Sequence, residues 1–272
     1  MSRSLLLISF LAAATSHGLL AQGRVLADDD WCAEDRNWDR DTERVCEVRE
    51  ITLPAGQGTI TVDAEPNGSI RVEGWDRNEI LVRARVVAHA RSEEAAEEIA
   101  GEVRIVTGGT ITADGPRTSR RREWWSVSFE IMAPRRSNLD LESMNGGITI
   151  TDVEGTIAFR TTNGGVHLSR LAGDVRGHTT NGGLDVALDG SEWLGGGLDV
   201  TTTNGGVKLG IPSSYNARLE TGTVNGHVRA DFPITVQGRI DRRITAELGR
   251  GGRTIRVMTT NGGVVLRRAN GA

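Results

Sequence analysis

The amino-acid sequence predicts an all-β fold: a parallel β-solenoid, wound as a two-sheet roll from rungs of about 18 residues, with one short capping helix. Three observations point to it. Asn-Gly-Gly returns at Asn145, Asn163, Asn181, Asn204 and Asn261, and Asn-Gly-His stands at Asn225. The intervals are 18, 18, 23, 21 and 36 residues, the last twice 18. Around every copy, apolar and polar residues alternate with period two, the mark of a half-buried strand.

Taken in order, residues 1–21 read as a secretory signal peptide: Arg3, an apolar run over residues 5–14, then small residues, with cleavage after Ala21 or Ala27. The run is too short to span a bilayer comfortably, and nothing later resembles a transmembrane segment. Residues 22–49 form a polar leader. Its Cys32 and Cys46 are the only cysteines, and an even count in an exported chain implies a disulfide between them. Residues 50–137 form an N-terminal β region with strand patterns from residue 50 to residue 86. Within it, residues 92–103 carry the one helix: Ser92 can cap it, Glu93 and Glu94 suit its N-terminus, and Ala95, Ile99 and Val103 share a face. Its expected role is to cover an end or edge of the sheets. A polar loop follows, with the basic cluster Arg117, Arg120, Arg121 and Arg122. Trp124 and Trp125 then open a strand in which they face opposite ways.

Residues 138–272 hold the repeats. Three residues after each Asn stand Ile148, Val166, Leu184, Val207, Val228 and Val264; six before stand Leu139, Ile157, Val175, Leu198, Leu219 and Ile255. Two before are small hydroxyls: Ser143, Thr161, Thr179, Thr202, Thr223 and Thr259. Asn and Gly suit a tight turn, where positive φ is common. A second turn lies half-way round, at residues 152–155 and 171–174. Asn67-Gly68 with Ile70 and Val72 repeats the right half of the pattern, with the left half shifted by one residue, as an atypical first rung. An antiparallel meander of Asn-Gly hairpins satisfies the same alternation. Stacked rungs explain better why identical residues return at identical places. The insertion at residues 189–197 sets Trp193 on a glycine-rich loop, and insertions in repeat arrays often map to a binding face.

The Thr-Thr-Asn-Gly-Gly-Val repeats resemble the bacterial "putative adhesin" family of domains of unknown function. The upstream stretch from Pro66 through Asn67-Gly68-Ser69 to Trp75-Asp76-Arg77 fits the same family. The likeness runs from about Glu50 to the end. It implies a β-rich repeat domain, exported or envelope-facing, and it carries over no catalytic residues.

Net charge is −4, and removing residues 1–21, which hold one Arg and no acid, takes it to −5. That balance makes no electrostatic case for nucleic acid. His167, His178 and His227 occupy three different rung positions, so they do not converge on a metal. The glycine-rich stretch 249–253 lacks the aspartate of calcium-binding repeats. The outward columns mix acids and bases, and the only acidic pair on rungs adjacent in sequence is Asp199 with Glu220. No catalytic residue, metal ligand or cofactor is therefore assigned. The expected function is a non-catalytic, periplasmic or cell-surface repeat protein that presents its solenoid to an envelope polysaccharide or protein. Trp193, Trp125, Arg120, Arg121 and Arg122 are the candidate contacts. The alternative is an envelope-stress sensory or signalling accessory acting through a protein partner.

Overall fold

The computed structural model describes residues 24–26, 30–33, 42–118, 122–232 and 242–269. The expected signal peptide falls outside these, as do Arg120 and Arg121. In chain order the N-terminal elements are β1 (Arg24–Leu26), α1 (Asp30–Ala33), β2 (Glu43–Pro54), β3 (Thr59–Asp63), β4 (Ile70–Trp75), β5 (Glu79–Ala90), α2 (Glu93–Glu102), β6 (Arg104–Val106), β7 (Thr110–Asp114) and β8 (Trp124–Pro134). The repeats supply β9 (Asn138–Ser143), β10 (Ile148–Thr151), β11 (Glu154–Asn163), β12 (Val166–Ser169), β13 (Ala172–Asn181), β14 (Leu184–Ala187), β15 (Gly197–Asn204) and β16 (Val207–Ile211). The chain closes with β17 (Ala217–Asn225), β18 (Val228–Ala230), β19 (Arg243–Leu248), β20 (Thr254–Asn261) and β21 (Val264–Arg268).

Two sheets face each other. Among the described residues one runs β1-β2-β5-β8-β4-β10-β12-β14-β16-β21-β18, and the other β19-β17-β20-β15-β13-β11-β9-β3-β7-β6. Each rung sends one strand to each sheet, and neighbouring rungs pair in parallel with the Asn residues in register: Asn163 with Asn181, Asn181 with Asn204, Asn204 with Asn261. The fold is therefore the solenoid rather than the hairpin meander. Antiparallel pairing is confined to the ends, at β1·β2, β2·β5, β5·β8, β6·β7 and β17·β19.

The alternation read from sequence becomes the core. In β9, Leu139 and Leu141 are buried while Asp140 and Glu142 are exposed. Ile157, Val175, Leu198, Ile255 and Leu219 continue the Leu139 column between the sheets. One place breaks the column usefully. Phe159 stands where the next rung has Gly177, and a Cβ on Gly177 would lie 2.2 Å from the Phe159 ring. The large residue fills the space that the small one leaves.

The stacking order departs from the sequence order at both ends. The β3/β4 rung is not terminal, since β7 and β8 stack beyond it. At the other end, the last rung in sequence, β20/β21, sits between β15/β16 and β17/β18. Nothing in the repeat pattern distinguishes these orders, because all the rungs share one column pattern.

α2 begins as expected, with the Ser92 hydroxyl accepting from the Ala95 N–H at 3.3 Å. Within the helix Ala96 and Ala100 are the buried residues; of the expected face, Ile99 is partly buried against the core and Val103, just past the helix, is buried. Two alanines one turn apart let the helix lie close on β5 and β2. The Arg49 side chain donates to the carbonyls of Ala100 (2.7 Å) and Val103, satisfying the helix's C-terminal end. The Cys32–Cys46 disulfide is formed and ties α1 to β2. The Arg85 guanidinium lies 5.1 Å from the Trp31 ring centroid, so the leader is seated on the outer face of β5.

Candidate functional site

The repeated corner is built from three columns with different duties. The Asn side chains form a single file of amide–amide hydrogen bonds. Asn145 donates to Asn67 (3.0 Å), Asn163 to Asn145 (2.7 Å), Asn181 to Asn163 (2.8 Å), Asn204 to Asn181 (2.9 Å), Asn261 to Asn204 (2.7 Å) and Asn225 to Asn261 (2.7 Å). Every bond points the same way, and the file is exposed along its length. Two residues earlier, the hydroxyl column is buried. Ser143, Thr161, Thr179, Thr202 and Thr259 donate to the carbonyls of Gly68, Gly146, Gly164, Gly182 and Gly205 at 2.7–2.9 Å. The end rung departs, with Thr223 reaching Thr260 O at 3.4 Å.

The glycine after each Asn is explained by crowding. A Cβ on Gly146, Gly164, Gly182, Gly205, Gly262 or Gly226 would stand 1.9–2.2 Å from the corresponding glycine carbonyl of the adjacent rung. The expectation of positive φ at this corner is thus corrected on every rung but one: of these six glycines only Gly262 has it (φ 155), and among the described non-glycine residues positive φ occurs at Arg122, Asp152 and Arg170. Asp152 (φ 60) and Arg170 (φ 50) each stand seven residues after an Asn, at the second turn.

That second turn holds the strongest ion cluster. Arg170 grips Asp152 through two bonds of 2.9 and 2.6 Å, and Arg135 reaches the same carboxylate at 3.1 Å and Asp76 at 2.9 Å. Hydrogen bonding from Arg170 first, and from Arg135, holds the Asp152 carboxyl below the usual carboxylate range against the opposing pull of partial burial. The cluster lines a cleft of about 440 Å³ with Glu154, Asp189 and Glu192. It is satisfied internally, with each carboxylate matched by a guanidinium, and its geometry is that of a turn lock. Sequence reasoning missed it, although the common offset of Asp152 and Arg170 from their Asn was visible.

The predicted contact residues fall in different places. Trp193 is buried, 6% exposed, and its indole N–H donates to Gly173 O at 2.9 Å. This corrects its assignment as a displayed contact: residues 189–192 and 194–196 of the insertion are exposed, but the Trp193 indole turns inward. Trp125 is half-buried, its N–H donating to Pro116 O at 2.9 Å. Trp124 is the more exposed of the pair and stacks on His89 with ring centroids 4.1 Å apart. Together with Pro66, Pro116 and Arg117 they line a shallow cleft of about 340 Å³. Arg122 is exposed beside this strand at φ 79. The file of Asn amides ends at Asn67, on the rim of the same cleft.

The acidic pair considered from sequence is not a pair. Arg256 of the inserted strand lies between Asp199 and Glu220 and is bonded to Asp199. Among the described residues no group of three or more His, Cys, Asp or Glu is placed to hold a metal ion.

A family model, Toastrack DUF4097, matches residues 48–267. The chain belongs to the Toastrack family. No curated protein matches it. Among solved structures, it is similar to one described as a putative cell adhesion protein from Clostridium sporogenes ATCC 15579, at 12% identity and a TM-score of 0.45, covering 84% of this chain and 100% of that one. It is also similar to a putative adhesin from Bacteroides fragilis NCTC 9343, at 10% identity and a TM-score of 0.42, covering 82% and 97%. In this Toastrack chain, then, one continuous feature is the corner: an exposed file of seven amides, with a glycine pair beside the five from Asn145 to Asn261.

Proposed function

We propose that this Toastrack chain is a non-catalytic, exported, adhesin-like protein that presents its solenoid surface to an envelope polymer or protein. The observation that carries the reading is the uninterrupted file of seven exposed Asn side chains, from Asn67 to Asn225. Such a line of identical donors and acceptors suits a partner that is itself repetitive. Asp152, Asp76 and Asp199 are each bonded to an arginine, which supports reading these carboxylates as structural ion pairs. Export is supported by the pattern of residues 1–21 and by the Cys32–Cys46 bond. No described helix is long and apolar enough to cross a membrane.

The test is co-sedimentation of the mature chain with peptidoglycan, outer-membrane material and extracellular polysaccharide. Saturable binding to one fraction is the expected result. Binding to none would overturn the adhesive reading in favour of the sensory one, in which a protein partner is sought by crosslinking in intact cells.

A further inference from the structure

The two glycines of each Asn-Gly-Gly have different reasons to be there: internal crowding demands the first on every rung, and presses on the second only at Gly147 and Gly183. The second glycine column is Gly147, Gly165, Gly183, Gly206 and Gly263, the outward position of the first sheet beside the Asn file. A Cβ on Gly165, Gly206 or Gly263 would meet nothing closer than 3.8, 3.5 and 3.6 Å, which is ordinary contact; Gly147 and Gly183 are tighter, at 3.0 and 3.3 Å. None of the five has positive φ. The chain also carries its own control. In the register of the stack, Ser69 occupies this column at one end and His227 at the other. The fold therefore accepts side chains here, and five inner rungs go without.

Glycine on a strand surface that internal packing does not demand marks close approach from outside. Four rung spacings make the bare track about 19 Å long. One wall is the Asn file. In the file, Asn163, Asn181, Asn204 and Asn261 each spend one N–H and one oxygen lone pair on their neighbours. Each keeps a second N–H and a second lone pair. The other side carries Thr149, His167, Asp185, Lys208 and Val265, with Asp185 paired to Arg267 at 3.0 Å, so no single charge dominates.

We propose that this track seats an extended, uncharged glycan strand lying along the solenoid axis, its sugar rings against the glycine backbone and its hydroxyl or acetamido groups on the Asn amides. The inference rests on the polymer-binding reading above and names its face and ligand class. A peptide strand is disfavoured because the track's carbonyls are already used. Gly165, Gly183, Gly206 and Gly263 accept from Ile148, Val166, Leu184 and Val207. A peptide gains its affinity from unpaired edge backbone. Rings joined in an extended chain advance by about one rung spacing each, so one strand can meet successive amides.

The test uses the full mature chain, with chitohexaose and cellohexaose as probes in calorimetry and the envelope fractions in parallel. The triple variant Gly165→Ser/Gly206→Ser/Gly263→Ser places in the track the residue that Ser69 already supplies at its end. Gly206→His copies His227 as a second, single variant. Ala158→Ser, exposed on the opposite sheet, is the control. Each variant's melting temperature is measured first. The expected result is binding of at least one probe by the wild type, a tenfold or greater loss in the triple variant and in Gly206→His, and no change in Ala158→Ser. Polymer binding that survives both track variants would overturn the track and leave the proposed function standing. No binding of either probe, together with no sedimentation with any fraction, would overturn both. Loss in the variants of self-association, or of binding to an extended peptide, with neither glycan bound, would overturn the ligand class.

Discussion

The adjacent glycines Gly205 and Gly206 offer a sharp test of the corner. In Gly205→Ala the new methyl would stand 2.0 Å from Gly182 O, 2.5 Å from its carbon and 3.0 Å from Gly183 N, all backbone atoms that cannot swing aside. Non-bonded carbon contacts settle near 3.5 Å, so the two rungs must part by more than about 1 Å. Three hydrogen bonds cross that gap: Gly182 N–H to Asn204 O at 3.0 Å, Asn204 to Asn181 at 2.9 Å, and Thr202 to Gly182 O at 2.7 Å. At about 1 kcal/mol each they contribute about 3 kcal/mol, and overpacking adds about 1–3 kcal/mol when the bonds stretch instead of breaking. A loss of about 4–6 kcal/mol in all corresponds to a fall of roughly 8–24 °C in melting temperature for a chain of this size. In Gly206→Ala the nearest atom is Gly263 O at 3.5 Å, and the change is expected to be neutral or slightly stabilising, by up to about 1 kcal/mol, through the unfolded chain. Thermal and urea unfolding followed by circular dichroism would measure both. Equal stability of the two variants would refute the division of labour between the glycines.

Three further outcomes follow from the packing. Gly177→Ala is expected to destabilise by about 1–3 kcal/mol against the Phe159 ring, and adding Phe159→Leu should recover part of that loss in a double-mutant cycle by urea unfolding. Reducing the Cys32–Cys46 bond, with its separation of 14 residues, is expected to cost about 2–4 kcal/mol, read as a lower unfolding midpoint with reductant than without. Asp152 has its carboxyl pKa lowered in the folded state, so its contribution is present above the unfolded value of 3.8 and is lost as pH falls through the lower folded value. Asp152→Asn should therefore be less stable than wild type at neutral pH, with the gap closing in acid, as followed by melting temperature against pH.

The repeat made the architecture legible because a solenoid writes its geometry into residue spacing. The Leu139 and Ser143 columns are buried as the alternation required, and so is the Ile148 column except at Val228 of the end rung, which is half-buried. The purpose of each column was harder to read. Asn-Gly was taken as a turn signal, whereas its Asn serves the neighbouring rung's amide and its Gly the neighbouring rung's carbonyl. Sequence shows which residues recur, but contact distances decide why. Trp193 was misplaced for a related reason. An insertion rich in glycine reads as a loop, and nothing in the local pattern reveals that the indole turns inward to bond Gly173 O. The exchange of the last two rungs was invisible because their columns match.

That exchange bears on the timing of synthesis. The β17/β18 rung emerges before residues 254–268 and, in its final place, pairs with neither β15 nor β16. Its Leu219, Thr223 and Asn225 match Leu198, Thr202 and Asn204 position for position, so a growing chain has a ready but provisional seat for it. Residues 254–268 would then have to displace that seat before the mature order is reached. A chain ending at Leu248 is expected to keep the provisional pairing. Asp199→Cys and Glu220→Cys would then crosslink in the shortened chain and fail to do so in the full one, where β20 holds them two strands, about 9.6 Å, apart. Crosslinking in both, or in neither, would count against the provisional seat. Residues 254–268 would thus convert a passable stack into the finished one.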